Sequence, residues 1–320
     1  MIRCDGTVRL FAVFQVVRSL PGWDRIVEVS SSFGKLMDEN TGLTKHDGMV
    51  RLVVSIVLHR SPLEVLDRTL TCLQAALREV QGKQVGGVEV VVVDNASGAA
   101  YTTALRTLVG RWRAAGLPIS LRCCRHNLGY GRGHNLVATA APDFRLVLNP
   151  DVFLQSNALV QGLSFLEEHA EVGLVVPRAL GKESEPLYLC KRYPTLLALA
   201  LRGFAPAGLR RRYAACLAHY EMRDLDWDVP RFDLELVSGC CLLMRGEVWQ
   251  RTGGFDPGYF LYFEDFDFAL RVREHFRIAY VPDFVVTHLG GEAARKGWRH
   301  RRWFIQSAWR FFSGHGWRWC

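Results

Sequence analysis

The chain has 320 residues, of which 49% are hydrophobic and 22% charged, and it carries a net charge of +8. That composition suits a soluble globular enzyme of one large domain or two small ones, with ample residues to bury a core. It excludes a membrane-spanning helix, because no apolar run approaches the roughly 18 residues required; the best, Leu196 to Leu201, is closed by Arg202.

The apolar stretch Leu10 to Val17 lacks a small-residue cleavage site before Arg18 and Pro21, which argues against a secretory signal. The nine cysteines are odd in number and form no CxxC pair, and Cys123-Cys124 and Cys240-Cys241 lie inside apolar segments. They read as buried thiols of a reducing cytosol rather than as zinc ligands or disulfides. The positive charge is concentrated at the end: Arg295, Lys296, Arg299, Arg301, Arg302, Arg310 and Arg318 follow Glu292 with no acid among them. A basic end of this kind expects an anionic partner: nucleic acid, phospholipid headgroups or a diphosphate substrate.

Residues 1–49 show little periodicity and read as a loosely ordered N-terminal extension, with Met49 a second candidate start. From Val50 the pattern becomes regular. Leu52 to Leu58 is a nearly continuous apolar run that fits a strand covered on both faces. Pro62 to Val80 has helical spacing, Val88 to Val93 is a second strand, and Ala99 to Ala115 a second helix. A third strand at 119–123, a helix at 133–141 and a fourth strand at 144–148 complete a β–α alternation. Alternation predicts a parallel, doubly wound α/β sheet, with ligands gathered beyond the carboxyl ends of its strands. That rule marks His59, Asp94, His126-Asn127 and Asn149-Pro150-Asp151. Beyond them lie a helix at 157–169, a strand at 172–176 and a variable insert over 181–234 with few strand signals. A strand at 236–244, a helix at 264–275 and a strand at 278–281 follow.

Asp94-Asn95-Ala96-Ser97 ends the second strand, where a carboxylate can accept the imide N–H of a uracil or thymine ring; an Asx turn or helix N-cap is the plainer alternative. The loop from His126 to Asn135 holds Asn127, Gly129, Gly131 and Gly133 and leads into a helix. Its backbone can approach a phosphate, or it can be a tight turn. After the fourth strand, Pro150 fixes φ and removes an N–H, so Asp151 is presented rigidly, either to a divalent cation or as a turn residue.

The densest region runs through Ser238-Gly239-Cys240-Cys241 and Gly253-Gly254-Phe255-Asp256 to Phe263-Glu264-Asp265-Phe266-Asp267. Three carboxylates within four residues are costly unless a cation or a proton offsets them, although acids in a first helical turn favour the helix dipole. His288 ends an apolar run and can offer an imidazole to a metal or serve structure.

In order and spacing, these segments resemble the large inverting glycosyltransferase family 2 with its GT-A fold, closest to the rhamnosyltransferase-like and galactofuranosyltransferase-like branches. The segments that carry the resemblance are Val54-Ser55-Ile56-Val57, Asp94-Asn95-Ala96-Ser97, Asn127-Leu128-Gly129-Tyr130-Gly131, Asn149-Pro150-Asp151, Gly239 to Leu243, Gly253 to Asp256, Phe263 to Asp267 and His288. The resemblance implies a single GT-A domain over 50–290, a Rossmann-like, doubly wound mixed sheet, followed by a basic aromatic helical segment over 291–320. It implies that Asp94 recognises the nucleotide base, that Asp151 and His288 hold Mg²⁺ or Mn²⁺ against the diphosphate, and that Asp265 is the general base. Asn95, Asn127, Gly129, Gly131, Asn149, Gly239, Glu264 and Asp267 then line the substrates. One departure stands out. The family's metal motif is often Asp-x-Asp, and Asn149 replaces its first acid.

The expected activity is inverting transfer of a sugar, rhamnose being one candidate, from a UDP- or dTDP-linked donor to a glycan or a lipid-diphosphate-linked glycan in surface polysaccharide synthesis. Two alternatives remain open: a nucleotidyltransferase, disfavoured because His59-Arg60-Ser61-Pro62 rather than a glycine-rich loop follows the first strand, and a non-catalytic binding relative. At the end of the chain, Trp298, Trp303, Trp309, Trp317 and Trp319 alternate with arginines. Trp303, Phe304, Ser307, Ala308, Phe311 and Phe312 can form the inner face of a closing helix while arginines meet anionic lipid at the inner face of the cytoplasmic membrane. Nucleic acid is not the expected partner.

Overall fold

A computed structural model describes residues 50–81, 84–137, 142–290 and 297–319. The chain divides into two units, Met1–Gly48 and Met49–Cys320; the expected N-terminal extension lies outside the described residues.

The first half follows the apolar pattern closely. β1 (Arg51–Leu58) is buried along nearly its whole length because it pairs in parallel with β2 (Gly87–Asp94) on one side and β4 (Phe144–Leu148) on the other. β3 (Ile119–Cys123) adds to β2 in parallel. Between them, α1 (Leu63–Val80) buries Leu66, Leu70, Leu73 and Leu77, the i, i+4, i+7 stripe of an amphipathic helix. α2 (Ala99–Ala114) and the short α3 (Tyr130–Asn135) complete the crossovers. The expected helix at 133–141 instead begins at Tyr130, because Gly129 at φ +88° turns the chain early.

The second half departs from simple alternation. β5 (Val152–Leu154), α4 (Ala158–Glu168) and β6 (Val172–Leu180) are followed by β7 (Pro186–Leu187) and β8 (Cys190–Lys191). The insert then forms α5 (Leu196–Phe204), α6 (Ala207–Arg212) and α7 (Ala214–Tyr220) before β9 (Leu236–Val237), which pairs with β8. The expected strand 236–244 is two: a break at Ser238-Gly239-Cys240 separates β9 from β10 (Cys241–Arg245). α8 (Gly246–Thr252), α9 (Glu264–Arg273), β11 (Arg277–His288) and α10 (Trp298–His315) close the chain.

The sheet runs β3-β2-β1-β4-β10-β6-β11-β5, with β7 on β6. It is mixed, as the resemblance implies, and not parallel throughout, as the alternation alone suggests. β10 is antiparallel to both β4 and β6, and β5 to β11. The cause is the insert, which starts and finishes at the end of the sheet where β6 leaves, so β10 must run back down. One apolar layer joins β1, α1, α2 and α4; the other joins β10, α8, α9 and α10, where Phe311 and Phe312 are fully buried.

α10 buries the face read from the sequence: Ser307, Phe311 and Phe312 inward, Phe304 and Ala308 against the same cluster, and Trp298 and Trp309 outward, with Trp319 exposed beyond the helix. The cysteines of the described residues are free thiols. None of the described helices is long and apolar enough to cross a membrane.

Candidate active site

This winding brings β1, β2, β4 and β11 to finish at one end of the sheet, where β10 and α9 begin. Every residue singled out after a strand lies there. Their chemistry falls into three groups.

The first is the strand-end loop of β2. Asp94 is buried, and its two oxygens accept from Ser97 N at 3.0 Å and Thr102 Oγ1 at 2.5 Å, so it anchors the turn into α2. Asn95, also buried, accepts from Leu128 N (2.8 Å) and donates to Gly129 O (2.9 Å). Asn127 accepts from Gly129 N at 2.9 Å, and Tyr130 N donates to Phe260 O at 3.0 Å. The loop's donors at 128, 129 and 130 are therefore spent inside the protein. Asn127, Gly129 and Gly131, expected to line the substrates, thus lie in a tight turn. Its glycines serve packing: a Cβ on Gly129 would fall 2.1 Å from Phe260 O, and one on Gly131 would fall 2.7 Å from Phe255 Cβ.

The second group surrounds Asp151. Antiparallel pairing of β5 with β11 sets His288 opposite Val152, which carries His288 Nε2 to 3.5 Å from Asp151 Oδ1. Burial by itself would lower the His288 pKa, but hydrogen bonds to the Asp151 carboxylate and the Cys240 thiol outweigh it and hold the imidazole up to about 10. Thr69 of α1 donates to Pro150 O at 2.7 Å and fixes the turn. Asn149 N donates to Cys240 O (2.8 Å), while Asn149 Oδ1 is buried without a hydrogen-bond partner. A Cβ on Gly290 would meet both His288 Nε2 (2.5 Å) and Asp151 Oδ2 (2.9 Å), so glycine there keeps the pair accessible.

The third group is the entrance to α9. Asp265 accepts from Gly239 N and Phe266 N, both at 2.9 Å. Burial raises its pKa and those backbone donors oppose the rise. Burial, reinforced by the Asp265 charge, also drives Glu264 well above the carboxylate range, and Glu264 Oε2 has no partner. Two crowded, desolvated carboxylates of this kind hold a proton that an exposed pair would release. The backbone before them is strained: Tyr262 and Phe263 both adopt positive φ (72° and 65°), which costs bulky residues free energy.

Asp267, expected to line the substrates, points elsewhere. Its Oδ2 accepts from Arg271 Nε at 2.8 Å and its Oδ1 meets His315 Nε2 at 2.9 Å, which ties α9 to α10. It is buried, and both of its oxygens are engaged within the protein.

The second and third groups meet on one dipeptide. Gly239 N–H holds Asp265, and Cys240 O and its thiol hold Asn149 and His288. Tyr130 Oη donates to Gly239 O at 2.5 Å and draws the glycine loop to the same point. Sequence reading passed over Tyr130 and Cys240, since a tyrosine after a glycine and a cysteine in an apolar run carry no distinctive signal. The break in the strand at 238–240 was visible only as one more glycine.

A family model described as glycosyltransferase-like family 2 matches residues 63–305, the larger part of the chain. The chain belongs to that family. It is 26% identical over 212 residues to the rhamnosyltransferase WbbL of Escherichia coli (strain K12), which covers 59% of this chain and 76% of that one. It is 24% identical over 180 residues to the N-acetylglucosaminyl-diphospho-decaprenol L-rhamnosyltransferase of Mycobacterium tuberculosis (strain CDC 1551 / Oshkosh), covering 51% of this chain and 56% of the relative. The chain thus spans little more than half the length of the mycobacterial protein. Among solved structures, GalNAc-T7 with UDP, GalNAc and Mn²⁺ superposes with a TM-score of 0.52 at 13% identity, covering 76% of this chain and 43% of that one. That likeness is one of fold. The family-2 chain is a glycosyltransferase on a GT-A-like mixed sheet, and the nucleotidyltransferase alternative falls away.

Proposed function

We propose that this family-2 enzyme transfers a sugar, with rhamnose the first candidate, from a UDP- or dTDP-linked donor to a hydroxyl of a glycan carried on a lipid diphosphate, with inversion at the anomeric carbon. The observation that carries the reading is the Asp265 carboxylate. It is half-buried, oriented by two backbone N–H donors, and joined through the Gly239-Cys240 dipeptide to the Asn149, Asp151 and His288 side of the same end of the sheet.

Asp265 takes the proton of the acceptor hydroxyl while that oxygen attacks the anomeric carbon and the bond to the donor diphosphate breaks. Glu264, beside it, has its own pKa raised by burial and then by the Asp265 charge, so it is the more readily protonated of the two. Asp94 keeps lone pairs beyond those used by Ser97 and Thr102 and is the candidate for reading the donor base.

The residues around Asp151 fit a divalent cation. Asn149 Oδ1 is a buried acceptor without a partner, Asp151 supplies a carboxylate and His288 an imidazole, and Gly290 leaves room in front of them. The described residues hold no cluster of three His, Cys, Asp or Glu, so the set is an amide, an acid and an imidazole, few protein ligands as Mg²⁺ prefers. Such an ion, when bound, would neutralise charge on the departing diphosphate. The exposed Trp298, Trp309 and Trp319 of the basic end suit peripheral contact with an anionic membrane surface, where a lipid-linked acceptor would reside.

The test is a donor screen that measures released nucleoside diphosphate with undecaprenyl- and decaprenyl-diphosphate-linked acceptors, with and without Mg²⁺ or Mn²⁺. Acceptor-dependent release from a dTDP- or UDP-sugar is expected. Failure of every donor would return the chain to the binding-protein reading.

A further inference from the structure

A cavity of about 350 Å³ opens in the insert, lined by Arg202 of α5, Arg210 of α6, Leu217 of α7, Glu221 and Arg223. Three guanidinium groups thus surround a single carboxylate. Glu221 is engaged by Arg223 at 2.5 Å and lies 3.9 Å from Arg202, while the Arg210 side chain has no hydrogen-bond or ionic partner among the described residues. A fourth cation lies beneath. Lys191 is buried, donates to Tyr188 O at 2.5 Å, and is brought down to about 8 first by burial and then by the Arg202 charge. Arg202, Arg210 and Arg223 are exposed, so their charges focus a positive field on the cavity that an anion can enter from solvent.

The place of the cavity in the fold matters as much as its charge. The insert stands on the β8–β9 ladder, and β9 runs directly into Ser238-Gly239, whose N–H holds Asp265. Tyr220, at the end of α7, is buried where it senses both the Arg202 charge and the Asp265 carboxylate. Arg192 pairs with Asp224 through both nitrogens and ties the stretch after β8 to the stretch after α7.

We propose that this cavity is an anion site, built for the phosphate or diphosphate of the acceptor. Paired guanidinium groups match phosphate oxygens in bidentate geometry, and the volume falls within the ordinary range of small-molecule sites. The assignment of the anion to the acceptor rests on the reading that Asp265 receives the acceptor hydroxyl; the anion site itself does not.

Inorganic pyrophosphate is the probe, titrated calorimetrically into the full chain at low salt with UDP saturating, so that the donor site is occupied. Arg210→Gln should weaken pyrophosphate about tenfold, as loss of one charge-assisted contact does. Glu221→Gln should tighten it, because a competing carboxylate is gone. UDP affinity should stay unchanged in both. Equal pyrophosphate affinity in wild type, Arg210→Gln and Glu221→Gln would overturn the site.

Flotation on phosphatidylglycerol against phosphatidylcholine vesicles separates the two sources of phosphate. If Arg210→Gln abolishes flotation while pyrophosphate still binds normally, the arginines serve lipid headgroups and the proposal fails. In transfer assays the same variant should raise the acceptor KM and leave kcat in place. A wild-type acceptor KM would sink the acceptor assignment while Asp265 chemistry stands. Pyrophosphate binding by a chain that transfers nothing would sink the transferase reading and leave the anion site.

Discussion

Two stretches at the same end of the sheet use polar residues in opposite ways. In the turns that follow β2 and β3, the polar side chains are answered: Asp94 by Ser97 and Thr102, Asn95 by Leu128 and Gly129, Asn127 by Gly129. At the break between β9 and β10 and the entrance to α9, the balance is left open. Glu264 Oε2 and Asn149 Oδ1 are buried without partners, two acids sit side by side, and the backbone at Tyr262 and Phe263 is strained. A fold gains from the first arrangement and loses from the second. The open one is where a substrate, a proton or a cation is expected to complete the structure.

The hardest blow to that contrast is Asp265→Asn. The amide keeps the size and one acceptor for Gly239 N–H but cannot take a proton, so transfer should fall about a thousandfold. Nucleoside diphosphate affinity, measured by calorimetry, should hardly move. Near-normal turnover would remove Asp265 from its role. Next comes Gly129→Ala, which strikes the satisfied side. Its φ of +88° and the 2.1 Å approach of a new Cβ to Phe260 O leave no low-cost adjustment. A loss of about 3 kcal/mol in denaturant unfolding is expected, and a loss below ~1 kcal/mol would show that the turn yields.

How much of this could be read beforehand follows the same division. Strands β1, β2 and β4 lie where continuous apolar runs placed them, since burial on both faces leaves little choice of residue. The packed face of α10 was legible for a similar reason: Ser307, Phe311 and Phe312 recur at helical spacing. The reversal of β10 was not legible from periodicity, because an apolar strand reads alike in either direction. Nor could local sequence separate Asp265 from Asp267 two positions on. What distinguishes them is the company each keeps across space, Gly239 N–H for one and His315 with Arg271 for the other. The three arginines that line the cavity of the insert lie on three separate stretches and converge only in the fold.

Glu264→Gln tests whether the open side is costly. Both acids have folded pKa values above their ordinary range, Glu264 because of burial and then the Asp265 charge. The folded chain therefore binds the proton more tightly than the unfolded one, and stability falls as pH rises from the ordinary carboxylate range through the raised one. Removing one acid should stabilise the protein by on the order of 1 kcal/mol above neutral pH and leave it unchanged in acid. It should also let Asp265 ionise at lower pH, moving the acidic limb of the kcat/KM profile downward. An unmoved limb together with unchanged stability would mean that the two carboxylates do not share a proton.

The smallest effect decides the role of Asp267. His315→Gln removes the ring that meets Asp267 Oδ1 at 2.9 Å, while Arg271 still holds Oδ2. The histidine side chain is one-quarter exposed, so the pair is partly screened and roughly 0.5 kcal/mol of stability should be lost. If Asp267 is a tether between α9 and α10, freeing one of its oxygens changes nothing at the substrates: acceptor KM and kcat stay at their wild-type values while the melting temperature drops slightly. If Asp267 serves the acceptor, the freed oxygen becomes available to it and KM shifts with little change in melting. The two readings predict opposite columns of the same pair of measurements, and the 5% exposure of Asp267 favours the tether.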